Sequence, residues 1–172
     1  MREYLLQLAH YNLWANQLIV NAIPNDKKRF TQEVKSSFPT VEKTILHIWD
    51  AQDIWLSRLE DQPLTDWPSS SLKDRNQQSI CEGLNHSSVR FFQFVDKQLP
   101  TFDTKIITYK NMQGVEYQNT TQEIIAHCMN HSTFHRGQLV SMLRELGVEK
   151  FSSTDMISYF RQLKEKKKEI YD

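Results

Sequence analysis

Three histidines, His127, His131 and His135, recur at four-residue spacing in the run TTQEIIAHCMNHSTFHRGQLVSMLRELG, and a fourth, His47, lies in TVEKTILHIWDAQDIWLSRLE. On an α-helix residues four apart stand one above the other, so two such imidazoles can close on one metal ion while a facing helix supplies a third ligand. With Ile124 at zero and a turn of about 100° per residue, Cys128, His131, His135 and Met142 fall within about 40° of one line, the stripe that an amphipathic helix turns to its core. Two imidazoles buried in an apolar seam need up to about four hydrogen-bonding partners, whereas one divalent ion satisfies two acceptor nitrogens at once. The expected ligand set is therefore His47, His131 and His135, with an open position of the catalytic type. His127 lies about 60° off the stripe and reads as a contact that orients a ligand.

Other chemistries fit less well. A sealed structural zinc would want a fourth protein ligand, and Cys128, one turn before His131, is the thiol placed to try; it more simply fills core space. His10 and His86 have no partner histidine at ligand spacing, although His10 can border a pocket. The sequence contains no G-x-S-x-G, no glycine-rich phosphate loop, no H-E-x-x-H and no paired E-x-x-H. Without a glutamate beside a metal histidine, no general base for peptide hydrolysis stands out. Asp50 and Asp53 flank His47 but turn away from its face, and read as solvated helix charges.

These residues need long helices to position them, and a chain with 4 glycines and 5 prolines in 172 residues fits an all-α fold. One domain, residues 1–172, is expected to bury roughly 70% of the surface of the unfolded chain. Leu5, Leu8, Leu13, Ala15, Leu18, Ile19 and Ala22 form the stripe of a first helix over 2–23, and NDKKRFTQEVKSS follows as a polar linker. A second helix starts after Pro39 and stops before Pro63; DQPLTDWPSSS then reads as a crossover loop. A third helix is expected over 72–99, weakened in its middle by Gly83 and Asn85 and ended by Pro100. KIITY and VEYQN read as a short hairpin turning at Gln113 and Gly114. The fourth helix opens on a Thr120/Glu123 capping box and ends at Gly147, and a last one runs from about 153 to 168, its KEKKKE end solvated and fraying.

Composition restricts the partners. The 21 acidic and 21 basic residues balance, so no overall field draws the chain to nucleic acid or to an anionic membrane, and a small-molecule substrate is expected instead. Charged and polar residues interrupt the N-terminal helix, which reads as part of a mature cytoplasmic protein, and no apolar run reaches the 18 or so residues of a membrane span. The two cysteines, Cys81 and Cys128, stand outside any C-x-x-C spacing, which suits a reducing compartment.

Taken together, HYNLWANQLI, LHIWDAQDIWLSRL and HCMNHSTFHRGQL resemble the DinB-like (DinB/YfiT) superfamily of metal-dependent proteins, and the resemblance covers nearly the whole chain. FSSTDMISYFR also matches the family's last helix, without the proline usual in the loop before it. The resemblance implies an up-down-down-up four-helix bundle with an extra C-terminal helix, and a metal triad at His47, His131 and His135. It implies a divalent ion, zinc or nickel first and manganese or iron next, and often a homodimer. Family members of known activity are bacillithiol-dependent thiol S-transferases and a mycothiol-dependent maleylpyruvate isomerase. The leading expectation is thus a metal-dependent S-transferase in which a low-molecular-weight thiol, bound to the ion as thiolate, attacks an electrophile. The alternatives are a hydrolase using a metal-bound water, and a non-catalytic stress-response dimer that binds metal or ligand. The family name refers to DNA-damage inducibility, which concerns expression and not DNA binding.

Overall fold

Apolar residues at helical spacing build six α-helices and one hairpin among the described residues of the computed structural model: α1 (Arg2–Asn21), α2 (Lys27–Thr31), α3 (Val41–Leu59), α4 (Gln77–Gln98), β1 (Ile106–Lys110), β2 (Glu116–Thr120), α5 (Thr121–Glu145) and α6 (Met156–Tyr171). The structure describes residues 2–62, 64, 66–98, 104–111 and 113–171. Pro63, Leu99 and Pro100, expected to mark helix ends, and the side chains at the far end of the KEKKKE run lie outside the described residues.

Local chemistry sets the helix ends. Thr120 accepts from the Glu123 amide at 3.4 Å while Glu123 accepts from the Thr120 amide at 2.9 Å, closing the capping box in front of α5. At its other end Gly147 takes φ +82°, and the Val148 amide reaches back to the Leu143 carbonyl at 2.9 Å, a Schellman closure that a side-chain-bearing residue would strain. Thr40, after Pro39, caps α3 through the Lys43 amide. Two segments differ from the sequence reading. The polar linker contains α2, capped by Asp26, because Phe30 buries its ring in the core; the crossover contains a 3₁₀ turn, Pro68–Ser71, whose Ser69 is buried. α4 begins five residues later than expected, at Gln77, where Asn76 accepts from the Ser79 amide.

Two apolar clusters fix the helix directions. Leu5 and Leu8 of α1, Leu56 and Leu59 of α3, Phe91 and Val95 of α4, and Ile124 and Ile125 of α5 meet in one cluster. Ile19 and Ile23, Val41 and Ile45, Ile80 and Leu84, and Leu139 and Leu143 meet in the other. α1 and α5 therefore run one way and α3 and α4 the other, an up-down-down-up bundle in which α1 and α3 each pack against both α4 and α5. The parallel α3 and α4 need the long connection over 60–76 to return the chain to the starting end. The hairpin pairs Tyr109 with Tyr117 and sets Tyr109 edge-on against Trp55, and α6 rests on α1 through Tyr159 against Tyr11 and Trp14.

Between the two clusters every long helix carries polar residues: Asn12 and Asn16, Gln52 and Asp53, Ser87 and Ser88, Ser132 and Arg136, all buried. Arg136, 1% exposed, donates to Asn12 Oδ1 at 2.7 Å, to Asn16 Oδ1 at 2.8 Å and to Thr133 Oγ1 at 2.7 Å. Asn12 donates to Gln52, Gln52 to Ser87, and Ser87 to Asp53, each at 2.6–2.7 Å. This layer joins all four long helices at the level of the histidines.

Candidate metal centre

The same geometry that stacks His131 over His135 on α5 turns both toward His47 on α3. One ligand nitrogen from each lies within 4.8 Å of the others, and the cluster contains no carboxylate and no thiol. His47 Nε2 and His131 Nε2 are 2.9 Å apart. Two imidazoles on one zinc ion, at about 2.0–2.1 Å each, cannot have their nitrogens more than about 4.2 Å apart, so rotations of well under a side-chain length close the set. The donors are the right species as well. Desolvation, with the neighbouring histidines adding to it, holds His47 down at about 4 and His131 at about 3, and desolvation lowers His135 too. All three are neutral imidazoles at neutral pH, the form that offers a lone pair.

His135, 6% exposed, is fixed by Gln138. Its Nδ1–H donates to Gln138 Oε1 at 2.8 Å, and Gln138 in turn donates from Nε2 to Ser37 Oγ at 3.0 Å. That chain fixes the tautomer and leaves Nε2 for a ligand, a device common behind metal-bound histidines. Phe38, in the loop before α3, stacks on His47 with ring centres 4.1 Å apart and meets His135 edge-on at 5.6 Å, shielding one side of the trio. A cleft of about 400 Å³ opens beside His47, with Phe38, Lys43, Asp50 and Trp67 among its walls.

The remaining sequence candidates fall elsewhere. His127 is at the surface outside the trio, its ring 5.8 Å from His131 and 5.2 Å from Trp55. Cys128 is buried among apolar residues, and burial pushes its thiol far up, so it offers no thiolate. His10 faces α6, bonded through Nδ1 to the Tyr159 hydroxyl at 2.7 Å. Asp50 and Asp53 are not solvated charges. Asp50 accepts from the Ser69 amide and hydroxyl at 2.8 and 2.7 Å, and Asp53 from Trp49 and Ser87 at 3.0 and 2.6 Å, because the crossover and α4 bring hydroxyls onto that flank of α3. Gln138, Ser37 and Phe38 went unread; Gln138 stands three residues after His135, a spacing at which helical side chains meet.

The DinB family model matches residues 1–167 of the 172. The chain belongs to the DinB family. Among DinB relatives, Protein DinB of Bacillus subtilis (strain 168) is 27% identical over 154 residues, which is 86% of this chain and 88% of that protein. The crystal structure of a DinB-like protein from Bacillus cereus ATCC 10987 has the same fold, with a TM-score of 0.67 at 18% identity over 87% of this chain and 93% of that one. The DinB bundle is thus the frame that holds His47, His131 and His135 together, and no helix among the described residues is long and apolar enough to cross a membrane.

Proposed function

We propose that this DinB-family chain is a divalent-metal-dependent thiol S-transferase acting on small molecules, with His47, His131 and His135 as the metal ligands. The observation that carries the proposal is the convergence of three neutral imidazoles with no carboxylate among them. Neutral ligands leave the full charge of a divalent cation undiminished, and a bound ion would supply Lewis acidity that lowers the pKa of a thiol or water beside it. The chain contributes the rest. Gln138 keeps His135 in one tautomer, and Phe38 keeps water from one side of the imidazoles. In the transfer the thiolate sulfur forms a bond to an electrophilic carbon as the bond to the leaving group breaks. With an epoxide the leaving group is the ring oxygen, which takes a proton from water.

Hydrolysis is less favoured because water, with a pKa of about 15.7 against about 8.5 for a thiol, is the harder nucleophile to ionise beside the ion and gains more from a base next to it. The carboxylate nearest in sequence, Asp50, already accepts from two Ser69 donors. A thiol deprotonated in advance needs no such group.

Elemental analysis of untagged protein, purified without chelator, tests the ligand set: about one divalent ion per chain in wild type and none in His131→Ala is expected. The loaded protein is then given an epoxide with cysteine, glutathione or bacillithiol, and thioether is followed by mass. Metal without turnover would leave a binding protein, and negligible metal in both proteins would remove the site.

A further inference from the structure

Transfer joins two reactants, and the cleft beside His47 has walls suited to the one that lacks the sulfur. Its volume, about 400 Å³, is that of a small-molecule site. Phe38 and Trp67 supply aromatic surface, and Leu46 adds an aliphatic patch. Phe38 is fixed by stacking on His47 at 4.1 Å. Trp67 is 46% exposed, yet the backbone that carries it is held in place. Pro68 opens the 3₁₀ turn behind it, the Ser70 amide and hydroxyl both donate to the Trp67 carbonyl at 2.9 and 2.6 Å, and Ser69 is anchored twice on the buried Asp50. A lone exposed ring is ordinary; one held on a fixed turn, at the wall of a cleft that reaches a cluster histidine, is a stacking surface.

Charge supplies the second half. Lys43 stands one helical turn before His47 on α3, about 5.4 Å along the axis, and lines the same cleft. The other charges of the wall are committed: Arg75 pairs with Glu42 at 3.3 Å, and both Asp50 oxygens accept from Ser69. Lys43 makes no ion pair among the described residues. Exposed lysines often make none, and what sets Lys43 apart is its place, an exposed ammonium in the cleft wall one turn from a cluster histidine.

We infer that this cleft receives the electrophile, and that the electrophile is an aromatic compound with an anionic group: its ring lies against Trp67 and Phe38, its anion meets Lys43, and its reactive carbon faces the histidine cluster. The inference rests on the thiol-transfer reading above and adds the class of the second substrate. In the step itself the thiolate sulfur bonds to that carbon as the leaving group departs with the electron pair of the broken bond.

Binding and turnover test it separately on the full chain. Sulfonates are feeble metal ligands, so 2-naphthalenesulfonate and the neutral methyl 2-naphthyl sulfone report the cleft by calorimetry. Wild type is expected to bind the sulfonate about three- to fivefold more tightly, the scale of one exposed ion pair. Lys43→Gln should lose that preference and Lys43→Arg keep it, while Lys27→Gln, which removes a charge on α2, should leave it unchanged. Trp67→Ala should weaken both probes about fivefold or more. For turnover the zinc-loaded protein is given glutathione with 4-(bromomethyl)benzenesulfonate or with benzyl bromide, and bromide leaves as the thioether forms. In Lys43→Gln, kcat/KM should fall for the anionic bromide and not for benzyl bromide. No preference in wild type, or one that survives Lys43→Gln, with benzyl bromide still turned over, would overturn this inference alone. A preference for the sulfonate, with neither bromide consumed faster than without protein, would overturn the thiol-transfer reading and the electrophile's place in the cleft with it.

Discussion

The burial of the histidine cluster makes a quantitative demand on metal uptake at low pH. Protons and metal compete for the same imidazole lone pairs, so three histidines with the ordinary pKa near 6.5 would lose affinity steeply on acidification. Between pH 7 and pH 5 each would contribute a factor of about 25, and the three together about 10⁴. Here the folded pKa values of His47 and His131 lie at about 4 and about 3. At pH 5 roughly nine-tenths or more of each remains neutral, and these two contribute almost nothing to the fall. His135, also lowered, is left as the main competitor, so the total loss should be no more than about 25-fold. Calorimetric titration with zinc at pH 7, 6 and 5, in buffers of different ionisation enthalpy, gives both the affinity and the protons released. A loss of about a thousandfold or more, with two protons released per ion at pH 5, would refute the reasoning. It would mean that water reaches His47 and His131 in the metal-free protein and that their desolvation is slight.

Three further outcomes follow from single contacts. Gln138→Ala removes the acceptor that holds His135 Nδ1, and zinc affinity should fall about 10- to 100-fold by competition with a chromophoric chelator, with the fold retained by circular dichroism. Gly83→Ala would drive a methyl into the Trp49 ring, which its Nε1–Asp53 bond keeps from moving aside; a loss of about 1–3 kcal/mol should appear as a lower urea midpoint. Arg136→Met strips a hydrogen bond from each of the buried Asn12 and Asn16 oxygens without replacing it and should destabilise the protein by about 2–4 kcal/mol in urea, more than Gln138→Ala does.

What the sequence made legible depended on signals that one element carries by itself. The stripe of α5, its Thr120/Glu123 cap and its Gly147 stop are properties of a single segment, and they place His131 and His135 four residues apart on the stripe facing the core. The hairpin could be read from β-branched residues around a turn where Gly114 takes φ +80°. Asp50 and Asp53 could not be read in the same way. A helical wheel gives their angle on α3 but is silent about Ser69 and Ser87, which reach them from the crossover and from α4. Gln138 had the right spacing to His135, yet its function needs Ser37, a residue about a hundred positions away in a loop that the sequence marks only as polar. Phe30 shows the same limit, since one buried ring turned part of a charged linker into α2.

The polar layer explains why a site made from two helices stays in register. α3 and α5 pack directly, but apolar side chains can slide past one another by fractions of a turn with little penalty. The hydrogen-bonded chain from Arg136 through Asn12 to Gln52 allows no such slide, because a shift would leave a buried cation or amide unpaired. Arg136 is the residue after His135, and Gln52 lies little more than one turn beyond His47. α1 thereby acts as a ruler between the two helices that carry the histidine cluster, though it adds no residue to that cluster. Stability alone does not demand this arrangement, since well-packed apolar residues often replace a buried ionic group without loss. The layer is better understood as setting the distance between His47 and the α5 pair, which gives Arg136 and Asn12 a bearing on the geometry of the histidine cluster separate from their contribution to the fold.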